Sequence, residues 1–257
     1  LATTIALAFI ALLAPILGAI ADQAGAKKRM LGGFMALGAG AVAAMFWIEQ
    51  GDWLLAALLF VIANIGVNGS FVFYDAFLPH IAEPDEMDRV STAGYALGYV
   101  GGGLLLALNL AWITHPGWFG LPSGPNLTPA QATLPTRLAF LSVAVWWVGF
   151  SIPLFRNVRE PAALSMSGFS LRSAIRQLGA TCRELGRFRQ ALLMLIAFLI
   201  YNDGIGTIIR MAVIYGEELQ LERVTMIGAI LIVQFVGIPF AFLFGWLAKH
   251  IGAKRAI

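Results

Sequence analysis

The architecture of this chain is decided by the stretch GAIADQAGAKK, residues 18–28, because another version of it stands near the other end. That other version is GWLAKHIGAKR, residues 245–255, and five of the eleven positions are identical. Each version follows a long apolar run and ends in basic residues. We name them the first cassette (18–28) and the second cassette (245–255). Two glycines at equal spacing in both predict an internal repeat.

The composition indicates a membrane protein. The chain has 257 residues, of which 59% are hydrophobic and 12% charged, and its mean hydropathy is +0.81. A soluble domain is about half apolar and about a quarter charged. This chain could not cover its surface with polar groups, so we expect membrane lipid to surround much of it. The single cysteine, Cys182, excludes an internal disulfide and a cysteine-based metal cluster.

Seven apolar stretches are long enough to cross a bilayer, which takes roughly 20 residues of helix. The fold class predicted is therefore an all-α, multi-pass membrane protein. Six crossings lie between the cassettes, so both fall on the same side, as a parallel repeat requires. The predicted spans are 1–21, 31–48, 54–77, 92–113, 137–155, 190–211 and 225–248.

The positions of Lys and Arg predict that both cassettes face the cytoplasm. With that orientation, the only basic residues outside are Arg137, Arg210 and Arg223, out of 17. Because the basic residues serve as membrane anchors, no basic and aromatic stripe remains to follow a nucleic acid backbone, and we expect no such partner.

The connector 156–189 is the one long basic loop. Apolar residues recur in it at helical spacing, and its arginines fall on another face. This pattern predicts an amphipathic helix on the inner leaflet. The apolar positions are Leu171, Ile175, Leu178, Cys182 and Leu185.

The first cassette has a physical interpretation residue by residue. Gly25 can take a left-handed conformation that ends the preceding helix, and Gly18 lets a neighbouring helix approach closely. Asp22 is expected to form an ion pair or a helix cap, while Lys27 and Lys28 meet the anionic inner leaflet. The simpler alternative is a turn that only sets topology and has no moving part.

The first cassette also resembles the signature loop between helices two and three of the major facilitator superfamily. The second cassette resembles the matching loop between helices eight and nine, although it has Lys249 where the signature has Asp. The resemblance implies that the chain covers helices two to eight of a twelve-helix transporter fold. Residues 1–155 would then be most of the N-terminal half, 156–189 the cytoplasmic linker, and 190–257 the start of the C-terminal half.

Two further stretches, 73–79 (FYDAFLP) and 201–208 (YNDGIGTI), resemble the vacuole-effluxer branch, which includes fungal exporters of vacuolar amino acids and many bacterial proteins. The resemblance implies a secondary active transporter that moves a small solute, with amino acids as candidates, by alternating access coupled to an ion or a proton. It implies no cofactor and no catalysis. The short connectors favour a bacterial plasma membrane.

The sixth span holds four polar residues, and such groups inside a bilayer are costly enough to suggest function. Asp203 lies about 20 Å from the inner end of the span. Thr207 and Arg210 share its helix face, and Asn202 adjoins it. By resemblance this is helix seven, which lines the central cavity. Asp203 either binds solute or a proton there, or it forms a pair, with Arg210 or another helix, that fixes packing.

The third span carries Asn64, Asn68 and Asp75 on one face. By resemblance it is helix four, which also lines the cavity. The two asparagines bind solute or hold helices together. Asp75 stands near the inner mouth, where a structural gate or cap contact is the favoured interpretation over a role in the pathway.

The fourth span spaces Gly94, Gly98 and Gly102 four residues apart, a pattern that lets two helices pack tightly. By resemblance this is helix five, where the two halves of a transporter meet. The stripe is expected to serve packing, with a sliding surface as the alternative.

Two other classes of protein share the span count. A seven-helix receptor or light-driven pump is disfavoured by the repeat and by the absence of a lysine within any predicted span. A membrane-embedded enzyme is disfavoured because His80, His115 and His250 stand at loops or span ends, where they form no evident metal site with Cys182.

Overall fold

The computed structural model describes residues 2–160, 176, 179–181 and 183–252, and only the backbone of residues 23, 210 and 223. The amphipathic helix predicted in the linker lies largely outside the described residues. Short 3-10 helices follow α2 and α5, at Met45–Trp47 and Pro116–Phe119. The α-helices are α1 (Ala2–Ala24), α2 (Lys27–Ala44), α3 (Trp53–Asp75), α4 (Leu78–Ile81), α5 (Met87–Thr114), α6 (Pro129–Asn157), α7 (Arg189–Glu218) and α8 (Arg223–Ile251).

Seven of these helices are long and apolar enough to cross a membrane, which confirms the predicted fold class. The largest difference is at α6, which begins at Pro129 and not near residue 137. Thr128 caps the helix by accepting a hydrogen bond from the Gln131 backbone, while the Gln131 side chain accepts one from the Thr128 backbone. Such a capping box starts a helix even where its first turns are polar. The predicted connector between the spans 92–113 and 137–155 is therefore too long.

Helices α2 and α3 cross with their backbones in contact. A Cβ atom built on Gly66 would collide with backbone atoms of Gly38 and would lie 2.9 Å from the Phe34 carbonyl oxygen. One turn further along α3, Gly69 leaves room for the Phe34 ring. Helix α1 packs against α3, and α6 packs against α2. These four helices form one bundle.

The end of the bundle that carries the first cassette has a small apolar core. Phe73 and Phe77 are each 1% exposed and pack with Ala21 and Leu31. The end of α6 closes the cluster through Leu154, Phe155 and Val158. The cluster joins α1 and α2, the helices on either side of the turn in the first cassette, to the end of α3.

Helix α5 packs along α8, and both helices contribute glycines to the contact. Thr92 lies against Gly245, with its Oγ1 atom 2.6 Å from a Cβ built there, and Tyr99 lies over Gly237. On α5, a Cβ built on Gly102 would lie 2.9 Å from the amide nitrogen of Gln234.

The predicted glycine stripe is only partly used in this contact. A Cβ on Gly98 would meet nothing within 4 Å, and one on Gly94 would lie 3.8 Å from the Tyr74 hydroxyl, an ordinary contact. A four-residue spacing drifts by about 40° around a helix at each step. Gly94 and Gly98 therefore fall outside the face that carries Thr92 and Tyr99, and the expectation of tight packing at Gly98 is not met among the described helices.

Helix α7 contacts chiefly α8, and almost all its described side chains are exposed. Large apolar side chains such as Ile200, Ile208 and Ile209 are 67–71% exposed. Exposed apolar surface of this extent requires lipid or further helices as its surroundings.

Candidate functional site

Each cassette ends a helix at a glycine with a positive φ. Helix α1 ends at Ala24, Gly25 has a left-handed φ of +58°, and α2 begins at Lys27. Helix α8 ends at Ile251, and Gly252 follows with a φ of +84° and an extended ψ of +144°. The prediction that Gly25 ends its helix in a left-handed conformation is confirmed. The second cassette beyond Gly252 lies outside the described residues.

Asp22 and Lys27 form an ion pair across the turn, with 2.8 Å between Oδ1 and Nζ. Of the two contacts predicted for Asp22, the structure therefore shows the ion pair. The Lys27 ammonium also stands 3.3 Å from Nε2 of His80, which lies in α4. Lys27 thus connects the end of α1 with the short helix after α3.

Lys28 connects the same turn to the end of α6. Its backbone N–H donates to both carboxylate oxygens of Glu160, at 3.0 and 3.1 Å, and its Nζ donates to the Val158 carbonyl at 2.7 Å. A carboxylate at the first turn of α2 satisfies a free backbone N–H and complements the helix dipole. The contact of Glu160 with this turn could not be predicted from the charges along the sequence, because the rule that assigns loops to a membrane side uses basic residues and ignores acidic ones.

The close approach of a neighbouring helix that we expect at Gly18 is not seen among the described helices. A Cβ built on Gly18 would meet nothing within 4 Å, so no described helix approaches it closely. The matching residue of the second cassette, Gly245, is the one that packs tightly, against Thr92. The expected close approach therefore occurs at one copy of the repeat and is absent at the other.

Asp75 is the last residue of α3, and its side chain is exposed. Phe73 and Phe77, two residues before and after it in the chain, are buried. No ion pair involves Asp75 among the described residues. The preceding residue, Tyr74, places its hydroxyl 3.8 Å from a Cβ built on Gly94, so the end of α3 lies beside α5. Asp75 makes no cap bond in the described structure.

Asn64 and Asn68 are half-buried and bond to their own helix. The Asn64 amide donates to the Phe60 carbonyl at 2.8 Å, and the Asn68 amide donates to the Asn64 carbonyl at 2.7 Å. Within the described part of the chain, neither side chain bonds to another helix. The interhelical alternative is thus not seen, and the amide oxygens stay available as acceptors.

The polar residues of α7 lie on one uninterrupted helix, as their predicted helical spacing requires. Asn202, Asp203 and Thr207 are exposed. The side chain of Arg210 lies outside the described residues, which leaves its pairing with Asp203 a prediction. No described hydrogen bond joins these residues to α3, so the structure does not bring the two polar sets into direct contact.

Two polar residues to which the sequence assigned no role prove to join helices. Asn109 of α5 is 7% exposed and accepts a hydrogen bond from Ser142 of α6 at 3.0 Å. Gln234 of α8 fills the space above Gly102. Both were isolated in the sequence because their partners are distant along the chain.

A cavity of about 690 Å³ opens between α5 and α6, away from the candidate residues. Its lining is almost wholly apolar and includes Leu105, Trp112 and Trp146. It offers a polar solute few hydrogen-bonding partners. Among the described residues, no group of three His, Cys, Asp or Glu side chains is placed to hold a metal ion.

Seven membrane-length helices, with a positive-φ glycine directly after the helix in each cassette, define a multi-pass membrane protein. The family model described as "Vacuole effluxer Atg22 like" matches residues 1–256. The chain belongs to this family.

Curated relatives are bacterial and fungal. The uncharacterized MFS-type transporter YxiO of Bacillus subtilis is 32% identical over 248 residues, which cover 96% of this chain and 56% of that protein. Autophagy-related protein 22 of Coccidioides immitis is 22% identical, over 93% of this chain and 48% of its own length. The chain thus spans about half the length of these relatives. No solved structure shows a significant match.

Proposed function

We propose that the full-length protein is a secondary active transporter that moves a small solute across the membrane by alternating access. Membership in the vacuole-effluxer family carries this proposal. The contact between α5 and α8 supports it, because these helices belong to the two predicted halves, 1–155 and 190–257. Transporters with internal repeats alternate access by rocking one such half against the other.

Amino acids are the proposed solute class and the proton is the proposed coupling ion. The resemblance to exporters of vacuolar amino acids supports the first. The position of Asp203 supports the second, since it lies about 21 Å along α7 from Arg189, well inside the span. Thr207, Arg210 and Asn202 would complete the pathway on this helix.

On α3, Asn64 and Asn68 are proposed to line the same pathway. Their amide hydrogens are used within the helix, so their oxygens are the groups left to accept hydrogen bonds from a solute. A solute that meets them must therefore donate. In this arrangement the first cassette, with Asp22 and Lys27, would control the cytoplasmic entrance.

The relative from Bacillus subtilis supports a bacterial plasma membrane as the location. Family membership favours transport over the two alternatives, a seven-helix receptor and a membrane-embedded enzyme.

Reconstitution of the full-length protein in liposomes tests the proposal. Counterflow with a panel of amino acids should identify a solute, and an inward or outward pH gradient should then drive its net movement. Absence of counterflow for every amino acid, by a folded protein, would exclude the proposed solute class.

Asp203→Asn tests the coupling. Because the substitution keeps the shape and removes the titratable group, we expect pH-driven uptake to be lost while solute counterflow continues. Glu217→Gln also replaces a carboxylate by an amide, near the last residue of α7. It is the matched control and should retain both activities. Full pH-driven uptake by a stable Asp203→Asn protein would refute the role. If Asp203 instead pairs with Arg210, the single variant should be unstable and Asp203→Asn/Arg210→Gln should recover stability.

A further inference from the structure

Another cavity, of about 300 Å³, lies between the connector that follows α2 and the first turns of α6. Unlike the apolar cavity between α5 and α6, it is lined by charged and polar side chains. Helix α6 runs from this cavity to the contact with Lys28, so the cavity lies at the end of the bundle opposite to the first cassette. We name it the polar cavity, and its polar lining residues are Glu49, Gln50, Thr128, Thr133 and Arg137.

Arg137 is held by the short helix after α2 and keeps unused hydrogen-bond donors. Its Nε donates to the Phe46 carbonyl, and its guanidinium carbon lies 4.7 Å from the centre of the Phe46 ring. The side chain is half-buried, and among the described residues no Asp or Glu pairs with it. Within the described part of the chain, the two terminal guanidinium nitrogens are therefore left to donate to an anion.

Glu49 brings a negative charge to the same cavity. Its backbone N–H donates to the Asp52 carboxylate at 3.1 Å, which shapes the connector and leaves the Glu49 side chain exposed. In the described structure the Glu49 carboxylate forms no ion pair with Arg137. Two opposite charges that line one cavity without pairing leave a space that a ligand with both charges can bridge.

The position of Arg137 along α6 places the polar cavity at the membrane surface. Arg156 stands 19 residues after Arg137, which is about 29 Å of helix. The hydrocarbon core of a bilayer is about 30 Å thick, so with Arg156 at one boundary Arg137 stands at the other. Trp47 and Trp53, at the same end of the bundle, are 64% and 75% exposed. Exposed tryptophans are typical of the boundary between hydrocarbon and headgroups.

The ligands available at that depth are phospholipid headgroups. A guanidinium recognises the oxygens of a phosphate with two parallel hydrogen bonds. We propose that the polar cavity binds the headgroup of phosphatidylethanolamine, with the phosphate on Arg137 and the ammonium on Glu49. The Thr128 hydroxyl accepts a bond from the Gln131 backbone, so its hydrogen is left to donate to the same phosphate. This site is separate from the transport function proposed above.

The pair of opposite charges favours a zwitterionic headgroup over an anionic one. Phosphatidylglycerol offers Arg137 the same phosphate, but it has no cation for Glu49. Native mass spectrometry of the purified full-length protein measures the affinity for the two lipids with identical acyl chains. We expect phosphatidylethanolamine to bind about tenfold more tightly. Equal affinities, or tighter binding of phosphatidylglycerol, would overturn the proposal.

Two further probes separate the headgroup of a lipid from its parts. Inorganic phosphate supplies the anion alone, and a diacylglycerol with the same acyl chains supplies the chains alone. Phosphatidylethanolamine should raise the unfolding temperature in detergent, and neither probe should raise it as much. Equal stabilisation by inorganic phosphate would indicate a site for a soluble anion and would overturn the lipid assignment. Equal stabilisation by the diacylglycerol would overturn the role of the polar cavity.

Variants then locate the site. Arg137→Gln should weaken binding of phosphatidylethanolamine about tenfold, because the phosphate loses its charged donor. Arg156→Gln, the same change near the other end of α6, is the matched control and should leave the affinity unchanged. Glu49→Gln should remove the preference for phosphatidylethanolamine over phosphatidylglycerol. Unchanged affinity in Arg137→Gln together with an unchanged preference in Glu49→Gln would refute the site.

The simpler alternative is a direct pair between Arg137 and Glu49. In that case each single variant would lower the unfolding temperature by a similar amount without lipid, and phosphatidylethanolamine would not stabilise the unsubstituted protein. That result would refute the proposal. If Arg137→Gln does not fold, as judged by size-exclusion chromatography, the exposed position Glu49 decides alone, and a retained lipid preference in Glu49→Gln would overturn the site.

Discussion

The two cassettes each end a helix at a glycine with a positive φ, Gly25 and Gly252, and they differ in the contacts around that helix end. At the first cassette, an ion pair between Asp22 and Lys27 bridges the turn. The second cassette has Lys249 in place of Asp22, so the same pair cannot form there. The repeated glycine follows the end of a helix in both copies, whereas the residues that differ determine the contacts.

The first glycines of the two cassettes also differ, and here it is the second cassette that makes the contact. Gly245 is packed against Thr92 of α5, while Gly18 meets no described atom at Cβ distance. An ion pair therefore distinguishes the first copy, and close packing at its first glycine distinguishes the other. Duplicated sequence does not by itself imply duplicated function.

The largest expected effect comes from filling the packed glycine. Gly245→Val should lower the stability of the protein by about 1–3 kcal/mol, because the new side chain overlaps Thr92 in a filled contact. Thermal unfolding in detergent measures this. Gly228→Val is the control on the same helix, where a Cβ would meet nothing within 4 Å. Thr92→Ala should restore part of the stability that Gly245→Val loses. Equal losses in Gly245→Val and Gly228→Val would show that the second cassette is not tightly packed.

An intermediate effect is expected at the two positive-φ glycines. Gly25→Ala and Gly252→Ala should each lower stability by roughly 1–2 kcal/mol, since both positions hold a positive φ that alanine resists. Thermal unfolding in detergent again provides the measurement. The loss should be the larger at Gly252, because its φ of +84° with a ψ of +144° is open essentially only to glycine. A larger loss at Gly25 would contradict this comparison.

The smallest effect on stability, with a clear effect on rate, is expected at Asp22. Its pair with Lys27 is partly exposed, so Asp22→Asn should cost less than about 1 kcal/mol of stability. Turnover in liposomes should nevertheless fall about threefold, because the pair biases one conformation over another. Lys249→Gln, at the matching position of the second cassette, should leave turnover unchanged. Normal turnover in Asp22→Asn would favour a turn without a moving part.

The spans and the turn were predictable because both depend on residues close together in the sequence. Apolar runs give the helices, and a glycine followed by lysines gives the turn at Gly25. The start of α6 was missed since a local signal, the capping box of Thr128 and Gln131, stood inside a stretch with the composition of a loop.

The contacts between helices were not predictable in the same way. The pattern of Gly94, Gly98 and Gly102 indicated that α5 packs closely, but not which face meets α8. The bond from Lys28 to Glu160 joins residues 132 apart, and the sequence holds no signal for their proximity.

The crossing of α2 and α3 at Gly38 and Gly66 has a practical consequence for measuring motion in this protein. Two backbones in direct contact leave no side chains between them that could slide past each other, so we expect this pair of helices to move as one body. Spectroscopic labels at the exposed positions Leu37 and Phe60 should therefore keep a constant separation in every state of the proposed transport cycle. Such a pair provides an internal ruler against which distance changes between any other two helices can be calibrated.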